Sequence, residues 1–297
     1  MVIVFAVILP IVLLSDIYLV LGRSNIELDT DSEYGRILIY RTMVNDREER
    51  HLVIDKGFES GMFIDSPNEL VYEYTKYYDL MNYFNQNIDN TLLIGGAAYS
   101  YPKHFLNTYP EKKMDVVEID KKVTAIAREY FHLEDNSNLT IYHEDGRTYL
   151  NRTNNKYDAI LNDAFNGASP PFHLLTKEAN ERIYHRLSDD GIYLVNIISS
   201  LEGSSSNLLK SQVNTIKEVF PTIYIFATRG TLDLYDIQNL MIVATKEETR
   251  RNIDLTQNEY IDNMLENYYE IGSYENSVIF TDDYAPIDYY LKDILYN

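Results

Sequence analysis

Cysteine is absent from the 297-residue chain, which excludes disulfides, thiolate nucleophiles and zinc–cysteine centres. Its six histidines, His51, His104, His132, His143, His173 and His185, show no close H-x-x-x-H spacing, so no metal site is expected. Basic residues are scarce: 26 Lys and Arg stand against 46 Asp and Glu, a formal net charge of −20, which argues against nucleic acid as a partner. A surplus of carboxylates serves solubility and draws cationic substrates. Repeats and low-complexity tracts are also missing; residues 203–207, Gly-Ser-Ser-Ser-Asn, read as a local loop and helix cap.

An apolar fraction of 45 % suffices for one fair-sized α/β domain with a smaller appendage. Residues 2–21 are nearly continuous in Val, Ile, Leu and Phe, long enough at ~1.5 Å per residue to cross ~30 Å of hydrocarbon. We therefore expect a membrane helix over 1–22, although Asp16 is costly in a bilayer and a signal sequence or a buried helix would also use such a run. Arg23 favours a cytoplasmic side for the residues after it. Residues 24–66 alternate apolar and polar side chains around the turns Asn45-Asp46 and Lys56-Gly57, the pattern of a small antiparallel β domain. Ser66-Pro67-Asn68-Glu69 then reads as the start of a tyrosine-rich helix over 70–84, whose tyrosines are expected to pack.

Residues 67–297 form the larger domain. Strands are expected near 92–96, 115–120, 139–144, 157–163, 191–198, 222–227 and 239–245, mostly separated by helices, which implies a mainly parallel sheet covered on both faces. Ligands of such sheets bind beyond the carboxyl ends of the strands. There the chain places Gly95-Gly96, Glu118, Asp145-Gly146 and Asp163. Glu118, roughly twenty residues after the glycines, suits a ribose diol, and Asp145 can accept from an adenine amino group. The third glycine of the dinucleotide fingerprint is missing, so an adenosine without phosphates fits better than NAD. Asp120 is better placed to cap the next helix than to bind. Asp163 precedes a Gly-, Ser- and Pro-containing loop suited to a lid, with a helix beginning near Thr176.

From Tyr34 onward the order and spacing of these motifs resemble the spermidine synthase family of polyamine aminopropyltransferases. Tyr34-Gly35-Arg36-Ile37 stands where that family has Tyr-Gln, Glu59-Ser60 where it has Gln-Ser, and Asn68 to Tyr74 where an acidic segment leads to a substrate-contacting tyrosine, here Tyr72. Thr281-Asp282-Asp283-Tyr284-Ala285-Pro286 looks like a signature of the bacterial branch in which the domain follows membrane helices. The resemblance implies an S-adenosylmethionine-methyltransferase-like (Rossmann-like) sheet and no prosthetic group. It implies decarboxylated S-adenosylmethionine as donor, its ribose on Glu118 and its adenine on Asp145 and Gly146. Asp163 would be the base toward an amine acceptor lined by Tyr72, and a homodimer is compatible with it. Ala98 and Asn166 stand where the family has acids that hold a diammonium substrate. S-adenosylmethionine-dependent methyl transfer, or adenosyl binding without catalysis, are the alternatives.

Overall fold

The computed structural model describes residues 25–295, apart from Lys56, Asn166, Ala168, Ile271, Ser273, Glu275 and Asn276. The expected membrane helix over 1–22 lies outside the described residues, and among those described no helix is long and apolar enough to cross a membrane.

Four antiparallel strands open the described chain: β1 (Ile26–Asp31), β2 (Arg36–Val44), β3 (Arg47–Ile54) and β4 (Gly57–Phe63), paired in sequence order. At the β2–β3 turn Asn45 and Asp46 have φ of 49° and 64°, the left-handed pair that a two-residue hairpin needs. β1 adds a strand to those expected.

The expected helix over 70–84 is broken. Its pieces are α1 (Glu73–Lys76), a 3₁₀ turn (Tyr77–Asp79) and α2 (Leu80–Phe84). Leu70 forms a bridge back to Met62 of β4, and Tyr72 is extended at φ −85°, ψ 128°. Its carbonyl accepts from the Thr75 backbone N–H and, at 2.6 Å, from the Thr75 hydroxyl. Tyr72 thus stays with the small sheet.

The second sheet holds eight strands in the order β12-β10-β11-β9-β8-β5-β6-β7. These are β5 (Asn90–Ile94), β6 (Lys113–Val117), β7 (Leu139–Tyr142), β8 (Tyr157–Asn162), β9 (Leu187–Ser199), β10 (Thr222–Ala227), β11 (Gln238–Thr245) and β12 (Tyr268–Tyr269). Pairings from β9 to β7 are parallel, and those among β9, β11, β10 and β12 are antiparallel. The result is the mixed, mainly parallel α/β class expected, beside an antiparallel sheet.

Strand periodicity divides the core. Leu92 and Ile94 join Ile160, Val195 and Ile242 on one face, packed with Tyr149 and Leu150 of α5 (Gly146–Arg152) and Ile183 of α6 (Lys177–Arg186). Leu93 joins Val116, Leu161 and Leu194 on the other, against Tyr78, Met81 and Phe105, the last from α3 (Ser100–Thr108). Burial on both faces explains why these strands read as continuous apolar runs. A third cluster joins Ile37, Ile39 and Leu52 of the small sheet to Val123, Ile126 and Phe131, which fixes that sheet above the strand ends.

Candidate active site

Gly95 opens the loop after β5 at φ +97°, and a Cβ there would lie 2.5 Å from the Asp163 carbonyl oxygen. The Asp163 N–H in turn donates to the Ile94 carbonyl at 2.9 Å. Glycine turn and candidate base are therefore locked together through backbone. Ala97 and Tyr99 also have positive φ, 43° and 57°, strained values for residues bearing a side chain.

Glu118 supports that strained loop. Its Oε2 accepts from the N–H groups of Gly96 at 2.9 Å and Ala97 at 3.0 Å, and its Oε1 accepts from Asp120 N–H at 2.8 Å. Burial raises its pKa against the pull of those three donors. Oε1, with one donor, has a lone pair left for a further hydroxyl. Asp120 caps α4 (Lys121–Tyr130) through Lys122 N–H at 2.8 Å, the role expected of it.

Asp145 is more committed than its sequence setting suggests. Oδ1 caps α5 by accepting from Thr148 N–H at 2.8 Å, and Oδ2 meets His173 Nε2 at 2.8 Å. His173 is the main cause that holds the carboxyl down at about 2. Gly146 is needed for closeness, since a Cβ there would meet Ile94 Cγ2 at 2.5 Å. Arg147 donates to the His173 carbonyl at 3.2 Å, to Thr176 Oγ1 at 3.3 Å and to Asp282 Oδ2 at 2.8 Å. Thr176 caps α6 and donates to Asp282 Oδ1 at 2.7 Å. The 281–286 signature thus fastens the far end of the loop that follows Asp163. Asn166, within that loop, lies outside the described residues.

Asp163 follows β8 directly. Oδ1 accepts from Asn196 Nδ2 at 3.0 Å and Oδ2 from the Tyr74 hydroxyl at 3.3 Å. Asn196 Oδ1 accepts in turn from Asn239 Nδ2 at 3.1 Å, so an amide ladder runs from β8 across β9 to β11. Burial pushes the Asp163 carboxyl up to about 6, and its hydrogen bonds oppose that shift only in part. A carboxyl so placed is poised to exchange a proton near neutrality.

Around it stand Tyr72 and Ala98, named from the sequence, and residues that the sequence did not single out for chemistry. Glu59 of β4 has a fully buried Oε1 with no hydrogen-bond partner among the described residues. Burial, then the charges of Asp163 and Glu118, push its pKa well up. Position 98 touches the same strand: Ala98 is buried, and its N–H donates to Ser60 Oγ at 3.1 Å. Tyr72 donates to or accepts from His51 Nδ1 at 3.0 Å, and His51 Nε2 lies 3.1 Å from Glu49 Oε2. Tyr74, expected to pack, instead reaches Asp163 and lies 6.3 Å from the Tyr72 ring, centroid to centroid. Asn196 carried a signal, one amide within the apolar run Tyr193-Leu194-Val195-Asn196-Ile197.

A family model described as "Spermine/spermidine synthase domain" matches residues 77–256, a stretch that holds Gly95, Glu118, Asp145 and Asp163 and begins beyond Glu59 and Tyr72. The polyamine aminopropyltransferase of Vibrio vulnificus (strain CMCP6) is 36 % identical over 146 residues, 48 % of this chain and 47 % of that protein. Its namesake from Clostridium beijerinckii is 31 % identical over 146 residues, 48 % of this chain and 51 % of that protein. The chain spans about half the length of these curated relatives. A probable spermidine synthase from Corynebacterium glutamicum superposes with a TM-score of 0.70 at 19 % identity, over 87 % of this chain and 97 % of that one, which establishes the likeness of fold. Matched over more than half its length, the chain belongs to the spermine/spermidine synthase family.

Proposed function

We propose that this chain transfers the aminopropyl group of decarboxylated S-adenosylmethionine to an amine, releasing methylthioadenosine. The observation that carries the reading is Asp163, a buried carboxyl raised to about 6 and held by Asn196 and Tyr74 beside the glycine turn. In the reaction the amine nitrogen forms a bond to the reacting methylene as the carbon–sulfur bond breaks. The bonding pair stays on sulfur and neutralises the sulfonium. Ionised Asp163 takes the proton that the amine must lose, and the site otherwise supplies alignment. Glu118 is the proposed ribose acceptor. Asp145 and Gly146 are proposed for adenine, with His173 sharing the Asp145 carboxylate, and Tyr72 for the amine.

The family match and the aminopropyltransferase relatives support this reading over methyl transfer. Incubation with decarboxylated S-adenosylmethionine and a panel of amines should yield methylthioadenosine by mass spectrometry. S-adenosylhomocysteine formed from S-adenosylmethionine, with no methylthioadenosine from the decarboxylated donor, would overturn it. From sequence alone we further propose domains over 24–66 and 67–297, and a membrane anchor over 1–22 of the kind found in the membrane-associated branch, with the catalytic domain cytoplasmic. Recovery of the full chain wholly in the soluble fraction of cells would remove the anchor.

A further inference from the structure

The segment that carries Tyr72 and Tyr74 is held at both ends by one imidazole. His104 of α3 places Nδ1 3.1 Å from the Asn68 carbonyl oxygen and Nε2 3.5 Å from Asp79 Oδ2. Asn68 precedes the two tyrosines, and Asp79 ends the 3₁₀ turn that follows them. Residues 68–79 are thus gathered onto a single side chain.

Asp79 is arranged to receive a cation. Its carboxylate is buried, and both oxygens accept from phenols: Oδ1 from the Tyr101 hydroxyl at 2.9 Å and Oδ2 from the Tyr260 hydroxyl at 2.8 Å. Those hydroxyls bring hydrogen bonds but no charge, and among the described residues His104 is its one ion-pair partner. The other groups around the pair are Tyr109, on which the charges of Asp79 and Glu111 act, Lys112, whose Nζ lies 4.3 Å from the Tyr109 ring, and Glu73, which acts on Tyr260.

The two contacts of His104 set its protons. A backbone carbonyl only accepts, so Nδ1 carries a hydrogen, and Nε2 needs a second one to turn a donor rather than a lone pair toward the carboxylate. The imidazolium satisfies both ends at once. Burial pulls its pKa down, but the hydrogen bond and charge of Asp79, with the Asn68 carbonyl, outweigh that and raise it above the ordinary 6.5.

What the clasp holds lies in the site. Tyr74 donates to Asp163 and stacks on Tyr72, and the Tyr78 ring, next to Asp79, packs edge-on against Tyr101 with centroids 5.1 Å apart. We infer that protonated His104 is a positioning residue for amine transfer: it pins residues 68–79 to α3 and so sets Tyr74, with Tyr72 stacked on it, against Asp163, a clasp that slackens as pH rises. The effect on the reaction rests on the aminopropyl-transfer reading; the clasp itself does not.

The full-length parent, His104→Leu and His104→Gln are compared at equal pH, so that the titration of the amine and the intrinsic rate of amide exchange cancel in each ratio. His104→Leu loses both contacts. At a pH of about 6.5 its KM for the amine should exceed the parent's roughly threefold to fivefold while methylthioadenosine affinity stays within about twofold, and the KM ratio should fall toward one by about pH 8.5. His104→Gln, whose neutral amide can still donate to Asp79, should have an intermediate KM, in a ratio to His104→Leu that stays flat with pH. Amide hydrogen exchange over 68–79, read by mass spectrometry, needs no substrate: it should run faster in His104→Leu than in the parent at about pH 6.5 and converge by about pH 8.5. NMR titration of the parent should give His104 a pKa above 6.5. A KM ratio near one at the lower pH, a ratio that does not change with pH, equal exchange, or a His104 pKa at or below 6.5 overturns the inference. If the parent forms no methylthioadenosine with any amine, the aminopropyl-transfer reading fails instead, and the exchange and NMR measurements still decide the clasp.

Discussion

The two halves of the site are built on opposite terms. On the proposed nucleoside side both acids are already engaged: Glu118 holds three backbone N–H groups, and Asp145 holds a helix cap and His173. On the proposed amine side Glu59 has an oxygen without a partner among the described residues, and Asp163 is held near 6. The first half is shaped before any ligand arrives. In the second, burial raises the pKa of both Asp163 and Glu59, so their ionised forms weigh against native-state stability.

The largest test of that contrast is Asp163→Asn. Turnover should fall on the order of a thousandfold while methylthioadenosine affinity stays within about twofold, because general-base catalysis is lost and the nucleoside contacts are not. Turnover within a few fold of the parent would show that another group takes the proton. In the parent, kcat should decline as pH drops through about 6, where Asp163 takes up a proton. An unchanged profile in that window would dissociate the two.

Glu118→Gln attacks the other half. An amide can present its oxygen to Gly96 and Ala97 N–H, but its NH₂ then opposes the Asp120 N–H. We expect binding of donor and methylthioadenosine to weaken together, on the order of 10- to 100-fold. Calorimetry showing unchanged affinity with the fold intact would remove Glu118 from the ribose site.

Stability should respond with opposite signs. Asp163 has a folded pKa of about 6 against an ordinary 3.8, so the folded state binds the extra proton between those values. Its contribution is favourable below pH 3.8 and is lost as pH rises through 6. Asp163→Asn should therefore stabilise the protein at pH 8 by on the order of 2 kcal/mol, and the gain should vanish below pH 4. Asp145 is the reverse case, at about 2 against an ordinary 3.8: its stabilisation is present above 3.8 and lost as pH falls through 2. Asp145→Asn should cost about 1 kcal/mol at pH 7. Urea melts across pH check both, and equal signs would erase the distinction.

Smallest is Arg147→Ala, which cuts the tie to Asp282, Thr176 and the His173 carbonyl. With Asp282 half exposed, we expect roughly 1 kcal/mol or less in stability, together with faster proteolysis in the loop after Asp163.

Legibility in the sequence divides along the same line. The parallel strands announce themselves as apolar runs, and Gly95, Glu118, Asp145 and Asp163 lie at strand ends because strand, acid and loop are local in sequence. The cap is read for Asp120 and missed for Asp145, although an Asp immediately before Gly146-Arg147-Thr148 carries the same signal. The amine side is assembled from distant segments. Glu59 comes from β4, Tyr74 from α1 and Asn196 from β9, and no spacing rule joins them. The helix expected over 70–84 fails because Leu70 bridges to Met62 and the Tyr72 hydroxyl bonds His51, ties to the small sheet that override helical periodicity. Glu49 and His51 share one face of β3 two residues apart, yet nothing local shows that Tyr72 completes them.

The amide ladder from Asp163 through Asn196 to Asn239 has an evolutionary reading. Its outer rung stands on β11, two strands from β8, so a substitution at position 239 reaches the proposed base only through Asn196. A lineage moving to a more acidic or more alkaline habitat would have in Asn239 a dial that acts on Asp163 through one intermediate amide. Laboratory selection for a shifted pH optimum should find its first mutations there.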